Sequence, residues 1–349
     1  MKKRYLSVEL PMARLDRPVS KFTLHQRDGH HDIAKFHVNL ERHDQAKFKT
    51  GQPVRVRWAT SSKPAEFIGY INHATGLSDT KKYTATEVLA VGASFWMKSP
   101  RHMVWRGVTI PDIARRLARE HRLRALIDPH PHRWPQLIQA GESDWSFLAK
   151  QADRIGYALY CNGTELRLLD RDRVLSPALL GKPPIKIGPT SVHTHRGAEA
   201  PVHGRRRSHA VSGMDWKTVA PYKVKTAEPA ALFDAPIAVA ADDFSQGHSA
   251  LKSADRKANF DDALDIEVLG DARIHQGSVV ELNAEKTPGF PGIWFVNEVE
   301  HRLASNFYRM TVRGDLIRGS APPRSLPDNR NPSPGSRLVG DRWVSAGSS

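Results

Sequence analysis

Residues 142–173 have the sequence ESDWSFLAKQADRIGYALYCNGTELRLLDRDR, the stretch with the clearest local signals in this chain. Ser143 is of the residue type that caps a helix by accepting a backbone N–H, and Asp144 suits the positive end of the helix dipole. Gly156 stands where a left-handed residue ends a helix. The stretch therefore predicts a capped helix. Its apolar stripe consists of Phe147, Leu148, Ala152 and Ile155.

A tight hairpin follows this helix. Beyond Gly156 the apolar period changes to two, which predicts strands at residues 157–160 and 165–169. Asn162-Gly163 lies between them and predicts a type I′ turn, which needs positive φ at both central residues. On physical grounds alone, this helix and hairpin are equally well explained as an ordinary α+β packing unit.

The same stretch resembles the phage late control protein D family, which includes the VgrG-like and baseplate-hub proteins of contractile tails and related injection machines. No catalytic residue belongs to this motif, so the resemblance implies a fold and a position in an assembly. The residues that carry it are Ser143-Asp144-Trp145, Leu148-Ala149, Gly156-Tyr157 and Leu166-Arg167-Leu168.

Composition narrows the class of protein. Lys and Arg number 52 against 37 Asp and Glu, a net charge of +15, which suits either an acidic partner or acidic neighbours in an assembly. The single cysteine, Cys161, excludes an internal disulfide and fits assembly in a reducing cytoplasm. No apolar run is long enough to span a membrane, and residues 1–4 precede no hydrophobic signal core. We therefore expect no membrane-spanning segment and no secretion by a signal of its own.

The fold class predicted is mainly β with an α+β insertion. Residues 1–95 form a first β-barrel, with strands at 5–10, 36–40, 54–58, 67–72 and 83–91. Residues 96–185 form the insertion, in which a helix begins at Thr109 or Ile110 and a Pro- and His-rich loop covers 128–135. Residues 186–319 form a second barrel, with strands at 185–187, 208–214, 222–226, 279–282, 293–299 and 308–312 and a helix at 246–259.

Residues 320–349 are rich in Pro, Ser and Gly, and they predict a flexible, unstructured tail. The apolar cluster at 338–344 is the exception, because a tryptophan flanked by aliphatic residues suits a groove on a partner. Trp343 is therefore a predicted partner contact. Nothing in this tail resembles the OB-fold and β-helix that form the central spike of a phage-type tail. We therefore expect the spike to be a separate chain.

An internal repeat relates the two barrel regions. Residues 51–56, GQPVRV, parallel residues 277–282, GSVVEL, and a second similar strand begins sixteen residues beyond each glycine. Gly51 and Gly277 are therefore predicted to be structural turn residues. Chance similarity between simple strand patterns is the alternative, but the recurrence of glycine, spacing and order favours duplication.

The family resemblance gives this repeat a meaning. In such hubs, two similar tube-type barrels lie in one chain and three chains form a ring, which adapts a six-fold tail tube to a three-fold spike. The resemblance thus implies a homotrimer in the baseplate of a virion, assembled in the bacterial cytoplasm. Its other partners would be a tail tube protein ring, a separate spike protein, and baseplate wedge or tape-measure proteins.

Other functions find less support in the sequence. The histidine clusters lack a recognised metal-ligand spacing, and no phosphate loop or Gly-x-Ser-x-Gly elbow is present, so we expect no cofactor, no metal and no enzyme activity. Arg205, Arg206 and Arg207 form a basic run, which we interpret as a partner contact because no nucleic-acid-binding motif accompanies it. A tail-associated cell-wall hydrolase and a basic DNA-binding protein remain the alternatives.

Overall fold

The computed structural model describes most of the chain, with gaps between its segments. The described residues are 5–10, 13–15, 19–41, 48–59, 65–79, 83–174, 183–188, 192–195, 207–215, 220–225, 233–236, 263–282, 292–304, 307–317, 337–339 and 342–344. Strands predominate in these ranges, so the prediction of a mainly β protein with a few helices is confirmed.

The N-terminal part contains seven strands and a short 3₁₀ helix. Five of the strands contain the predicted segments, whereas no sequence pattern predicts β2 or β3. The elements are β1 (Tyr5–Leu10), β2 (Ala13–Leu15), β3 (Val19–Arg27), β4 (Ile33–Glu41), β5 (Pro53–Ala59), β6 (Ala65–Asp79), β7 (Tyr83–Gly92) and the 3₁₀ helix (Ala93–Lys98).

The insertion consists of an antiparallel ribbon, a three-stranded sheet and three helices. Its elements are β8 (Pro100–Val108), α1 (Ile110–Glu120), β9 (Arg124–Ile127), β10 (Trp134–Ser143), α2 (Asp144–Arg154), β11 (Tyr157–Asn162), β12 (Glu165–Asp170) and α3 (Arg171–Val174). Thr109 caps α1 by accepting a hydrogen bond of 3.1 Å from the Asp112 backbone N–H, as the predicted helix start requires. β8 pairs with β10, and β12 lies between β11 and the parallel β9.

The C-terminal part contains the remaining strands. They are β13 (Ile185–Ile187), β14 (Val192–His195), β15 (Arg207–Asp215), β16 (Ala220–Lys225), β17 (Phe233–Pro236), β18 (Ala263–Leu269), β19 (Val279–Leu282), β20 (Gly292–Ala304), β21 (Tyr308–Leu316), β22 (Arg337–Val339) and β23 (Arg342–Val344). The helix predicted at 246–259 lies outside the described residues. β22 pairs with β23 inside the predicted tail, so the prediction of no regular structure there is wrong at these residues.

One sheet of thirteen strands runs through both repeats, in the order β14-β18-β21-β20-β3-β4-β7-β6-β5-β1-β2, with β13 and β19 branching from β20. The long strand β20 makes this possible, because its first residues pair with β19 while residues 298–304 pair with β3. Within the described ranges no sheet closes on itself, and the two-barrel architecture stays a prediction.

The apolar side chains pack into three main cores. The first lies in the N-terminal strands but also includes Ala272, Leu303 and Tyr308 from the C-terminal part. The second lies in the C-terminal strands and the third in the insertion. Their members include Phe22, Phe36 and Trp58 in the first, Trp294 and Met310 in the second, and Trp105, Trp134 and Trp145 in the third.

The turns that begin the two repeats have the same geometry. Gly51 and Gly277 both have φ of +79°, in the left-handed region that favours glycine. The amide of Gly51 donates to the carbonyl of Ile71, and that of Gly277 to the carbonyl of Val296, each at 2.8 Å. This agreement supports duplication over chance similarity.

Each repeat also bulges at one asparagine, Asn72 in β6 and Asn297 in β20. The spacing from the turn glycine to this asparagine is one residue shorter in the second repeat. Both asparagine side chains form hydrogen bonds. Asn72 accepts one from Lys98 at 2.8 Å, and Asn297 donates one to Asp315 at 3.0 Å. A bulge at the same place in both copies is a feature that the sequence alone did not predict.

Candidate functional site

The insertion meets both repeats at the turn between β3 and β4. The amide of Asp28 donates to the carbonyl of Asn297 at 3.0 Å, and the amide of Gly29 donates to that of Leu159 at 2.8 Å. The backbone of a single turn therefore bonds to the bulge of β20 on one side and to β11 of the insertion on the other. We call this place the junction.

Side chains reinforce the junction. The Asp28 carboxylate accepts a hydrogen bond of 2.8 Å from the Leu159 amide and pairs with the guanidinium of Arg171. The indole of Trp145 donates to the carbonyl of Gly29 at 3.0 Å, so the aromatic residue of the predicted motif binds at the junction. These contacts hold α2, β11 and α3 against the sheet.

A cleft of about 590 Å³ opens beside the junction. Its charged groups form ion pairs, among them Arg313 with Glu298 at 2.7 Å and with Asp265 at 3.1 Å. Burial alone would raise the pKa of Glu298, but the hydrogen bond from His25 and the charge of Arg313 together lower it. The carboxylate therefore stays ionised and paired, which suits a structural role better than proton transfer.

A second contact joins the insertion to the C-terminal repeat. Ala158 and Tyr160 of β11 pack with Phe295 and Ile317 in a small buried cluster. A Cβ atom built on Gly277 would lie 2.1 Å from the Tyr160 hydroxyl oxygen, so this position requires glycine for close approach as well as for its φ angle.

A buried chain of polar groups joins the two repeats directly. Trp58 on β5 donates from its indole to the hydroxyl of Tyr308 at 3.1 Å, and that hydroxyl lies 2.9 Å from Nδ1 of His301. Burial lowers the pKa of His301 to about 3, so the ring is neutral, and its Nδ1 shares a hydrogen bond with the Tyr308 hydroxyl.

The predicted helix start is confirmed. The hydroxyl of Ser143 accepts a hydrogen bond of 3.1 Å from the Ser146 amide and caps α2. Asp144 does more than complement the helix dipole, because its buried carboxylate lies 2.6 Å from Nε of Arg101 and 2.8 Å from Nε2 of His121. These contacts tie α2 to β8 and to the end of α1.

The glycines of the hairpin unit have the predicted left-handed backbone, with φ of +74° at Gly156 and +58° at Gly163. The prediction of a type I′ turn centred on Asn162-Gly163 is wrong. Asn162 pairs with Glu165 as the last residue of β11, so the central residues are Gly163 and Thr164. Only the first of these has positive φ, as in a type II′ turn.

The predicted partner contacts remain predictions. Arg205 and Arg206 lie outside the described residues. Arg207 begins β15 and Trp343 lies in β23, but the side chains of both are outside the described part of the structure.

Sequence reasoning missed a buried carboxylate near the junction. Asp32 accepts a hydrogen bond of 2.8 Å from Gln26, and burial raises its pKa to about 7. Cys161, which the sequence suggested is a packed or half-exposed thiol, is buried, and burial raises its pKa well above the usual range. A thiol in that state is a poor nucleophile.

The described segments contain neither a candidate metal site nor a helix that could span a membrane. No group of three or more His, Cys, Asp or Glu side chains there could hold a metal ion. In the same segments, no helix combines the length and apolar character needed to cross a bilayer.

One protein family matches most of the chain. Residues 32–307 match the family model described as phage tail baseplate hub (GPD). No curated protein matches the chain.

Several solved structures share its fold. The 43 kDa tail protein of prophage MuSo2 from Shewanella oneidensis has a TM-score of 0.67 at 12% identity, over 90% of this chain and 99% of that one. The tail protein from Neisseria meningitidis MC58 gives 0.64 at 15%, over 89% and 96%. An E. coli component of the type VI secretion system, described as structurally similar to tail proteins of bacteriophage T4, gives 0.60 at 12%, over 92% and 80%.

Proposed function

Because the chain belongs to the phage tail baseplate hub family, we propose that it is the structural hub of a phage-type tail and a component of the virion baseplate. Three copies form a ring that joins the six-fold tail tube to the three-fold central spike. The hub acts through its geometry and turns over no substrate. Assembly of the ring takes place in the bacterial cytoplasm, before the tail is complete.

The structural repeat is the observation that carries this proposal. One chain contains two turns with the same φ angle, at Gly51 and Gly277, and two bulges at Asn72 and Asn297. Three chains with two repeats each provide six similar positions, which suit a six-fold ring, while the exterior keeps three-fold symmetry. We propose that each repeat contributes one tube-type barrel to that ring.

The junction supports the same role. Asp28, Gly29 and Trp145 hold the insertion against both repeats through backbone and side-chain hydrogen bonds. A rigid connection of this kind lets a hub transmit load between the tube on one side and the spike on the other. We propose that wedge or tape-measure proteins contact the remaining outer surface.

Mass photometry of the full-length chain, alone and with its separate spike protein, tests the proposal. We expect the mass of three chains, reached alone or on addition of the spike. A chain that stays monomeric at every concentration, with tube and spike proteins present, would contradict it.

A gel-shift assay separates this function from DNA binding. A basic DNA-binding protein retards DNA in a strongly salt-dependent way, because it releases counterions from the phosphates. We expect the oligomer to form without DNA.

A further inference from the structure

The three-stranded sheet of the insertion ends in the short, exposed strand β9. β12 pairs with it on one side, and no other described strand pairs with it on the other. Arg124 and Ala125 are exposed, and Leu126 is 47% exposed. An open strand edge of this kind offers unpaired backbone N–H and C=O groups to another chain.

Two hydrogen bonds fix which backbone groups face outward. The amide of Arg124 donates to the carbonyl of Thr164 at 3.0 Å, and the amide of Asp128 donates to that of Leu168 at 2.9 Å. Because the backbone groups of alternate residues in a parallel strand point to the same side, those of Ala125 and Ile127 point away from β12. These two residues therefore form the outer edge of β9.

Unpaired positive charge surrounds this edge. Arg119 in the last turn of α1, Arg122 in the following turn and Arg124 in β9 are all exposed, and none of them forms an ion pair within the described part of the chain. Glu165 lies opposite Arg124 in the strand register, but its carboxylate is bonded to Arg167 at 2.8 Å. We call Arg119, Arg122 and Arg124 the arginine cluster.

The arginines earlier in α1 differ from this cluster, because they have carboxylate partners of their own. Arg115 pairs with Asp112 at 3.2 Å, and Arg116 pairs with Glu120 at 2.8 Å. The arginine cluster has no such partner among the described residues, so its charge is complementary to an acidic ligand.

Arg122 occupies a position where glycine or asparagine is usual. Its φ is +57°, and it is the one non-glycine residue with positive φ in the described segments. A left-handed backbone is strained for an arginine. Glycine would relieve the strain but would remove one of the three charges beside the open edge.

We propose that the outer edge of β9 binds an extended acidic segment of another protein, which adds a fourth strand to the sheet of the insertion. Backbone hydrogen bonds to Ala125 and Ile127 hold the segment, and the arginine cluster selects an acidic sequence. The contact lies on the insertion, so it goes beyond the proposed ring of hubs and does not depend on it.

The side chains of β9 define the sequence that fits. Arg124 and Leu126 lie on the same face of the strand, since successive side chains alternate between faces. A bound strand therefore places an acidic residue beside Arg124 and an apolar residue beside Leu126.

A fluorescein-labelled peptide of alternating glutamate and valine tests the proposal on the full-length chain. We expect fluorescence anisotropy to give a Kd below about 1 mM, since a single added strand is a small contact. A lysine–valine peptide of the same length should not bind. The glutamate–valine peptide with every backbone nitrogen methylated keeps its charge but cannot pair as a strand, and it should not bind either.

Variants of the arginine cluster test the charge. Arg124→Glu should weaken binding of the glutamate–valine peptide about tenfold or more, because like charges then face each other. Lys150→Glu is the matched control, since it makes the same charge change at an exposed position of α2 and should leave binding unchanged. Arg122→Gly should weaken binding yet raise the melting temperature, because glycine removes the backbone strain.

Ala125→Pro tests the strand edge. Proline removes the outward amide and leaves the bonds to β12 in place, so the substitution should abolish peptide binding. Thermal melting checks that the variant is folded. If it is not, the methylated peptide and Arg124→Glu decide between edge pairing and no contact.

A peptide that does not bind at about 1 mM, or that binds Arg124→Glu and Ala125→Pro as tightly as the wild type, would overturn the inference and leave the proposed hub in place. Retardation of duplex DNA that Arg124→Glu abolishes, without any peptide binding, would assign the arginine cluster to nucleic acid and would also overturn it.

Discussion

The indole Nε1 of Trp58 donates a hydrogen bond of 3.1 Å to the Tyr308 hydroxyl, across 250 residues of chain. Trp58 belongs to the strand that follows the turn of the first repeat, and Tyr308 begins the last strand of the second. The hydroxyl also lies 2.9 Å from Nδ1 of His301. One buried hydroxyl is therefore the hydrogen-bond partner of an indole N–H from one repeat and of an imidazole nitrogen from the other.

Replacing Tyr308 by Phe should destabilise the protein by about 1–3 kcal/mol, because it leaves the Trp58 N–H and the His301 nitrogen buried without their partner. The free energy of unfolding in urea measures this loss. Tyr70→Phe is the matched control, because Tyr70 is only half-buried and should lose little. Equal stability of the two variants would mean that the buried hydroxyl adds nothing.

Gly277→Ala should cost more than Gly51→Ala. Both glycines have φ of +79°, so both substitutions carry the same backbone strain of about 1–2 kcal/mol. At Gly277 the new methyl would also lie 2.1 Å from the hydroxyl of the buried Tyr160, whereas at Gly51 it would lie 3.3 Å from the exposed ring of Trp96. We expect an additional loss of about 1–3 kcal/mol at Gly277 from overpacking, measured by urea unfolding. Equal losses would show that Tyr160 can move aside.

The contribution of Asp32 to the stability of the wild type should fall as the pH rises from about 4 to about 7. Burial raises the pKa of this carboxyl from 3.8 to about 7, so the folded state binds its proton more tightly than the unfolded state does. The stabilisation from protonated Asp32 is complete below the pKa that this carboxyl has in the unfolded chain. It is lost as the pH rises through the pKa that the carboxyl has in the folded protein.

Asp32→Asn should remove this dependence, since the amide stays neutral and can still bond to Gln26. We expect the free energy of unfolding of the variant to rise relative to that of the wild type by on the order of 4 kcal/mol between pH 4 and pH 8. Thermal melting of both proteins over this range gives the difference, in which the titration of His301 cancels. Parallel melting curves across the whole range would exclude a titrating Asp32.

Gly163→Val should destabilise the hairpin by about 1–3 kcal/mol, because a β-branched residue resists positive φ. No atom lies within 4 Å of a Cβ built at this position, so the cost is conformational and not steric. Gly163→Asn is the control, since asparagine tolerates the left-handed region and should cost much less. The melting temperatures of Gly163→Val and Gly163→Asn measure this difference. Identical values would argue against conformational strain at position 163.

Local interactions explain what the sequence predicted well. The cap at Ser143 and the helix stop at Gly156 depend on neighbours within a few residues, so their patterns are visible in the chain. The turn glycines Gly51 and Gly277 were visible for the same reason. The predicted type of the hairpin turn was wrong because the turn type depends on where strand pairing ends, and β11 continues through Asn162.

Long-range contacts explain what the sequence did not predict. β3 has few apolar residues, and its buried Gln26 is accommodated only because Asp32 accepts its hydrogen bond. Asp28 looks like an ordinary turn residue, yet its carboxylate binds the amide of Leu159, 131 residues away. The junction is therefore a property of the folded chain that no local pattern encodes.

The pairing of β3 with β20 also bears on how the protein is made. Residues 21–27 pair with residues 298–304, and His25 contacts Glu298 across 273 residues. On a ribosome that adds about 5–20 residues per second, β3 waits many seconds for this partner with one edge unpaired. Such an edge invites pairing with other nascent chains, so a chaperone that shields β3 should raise the yield of soluble protein.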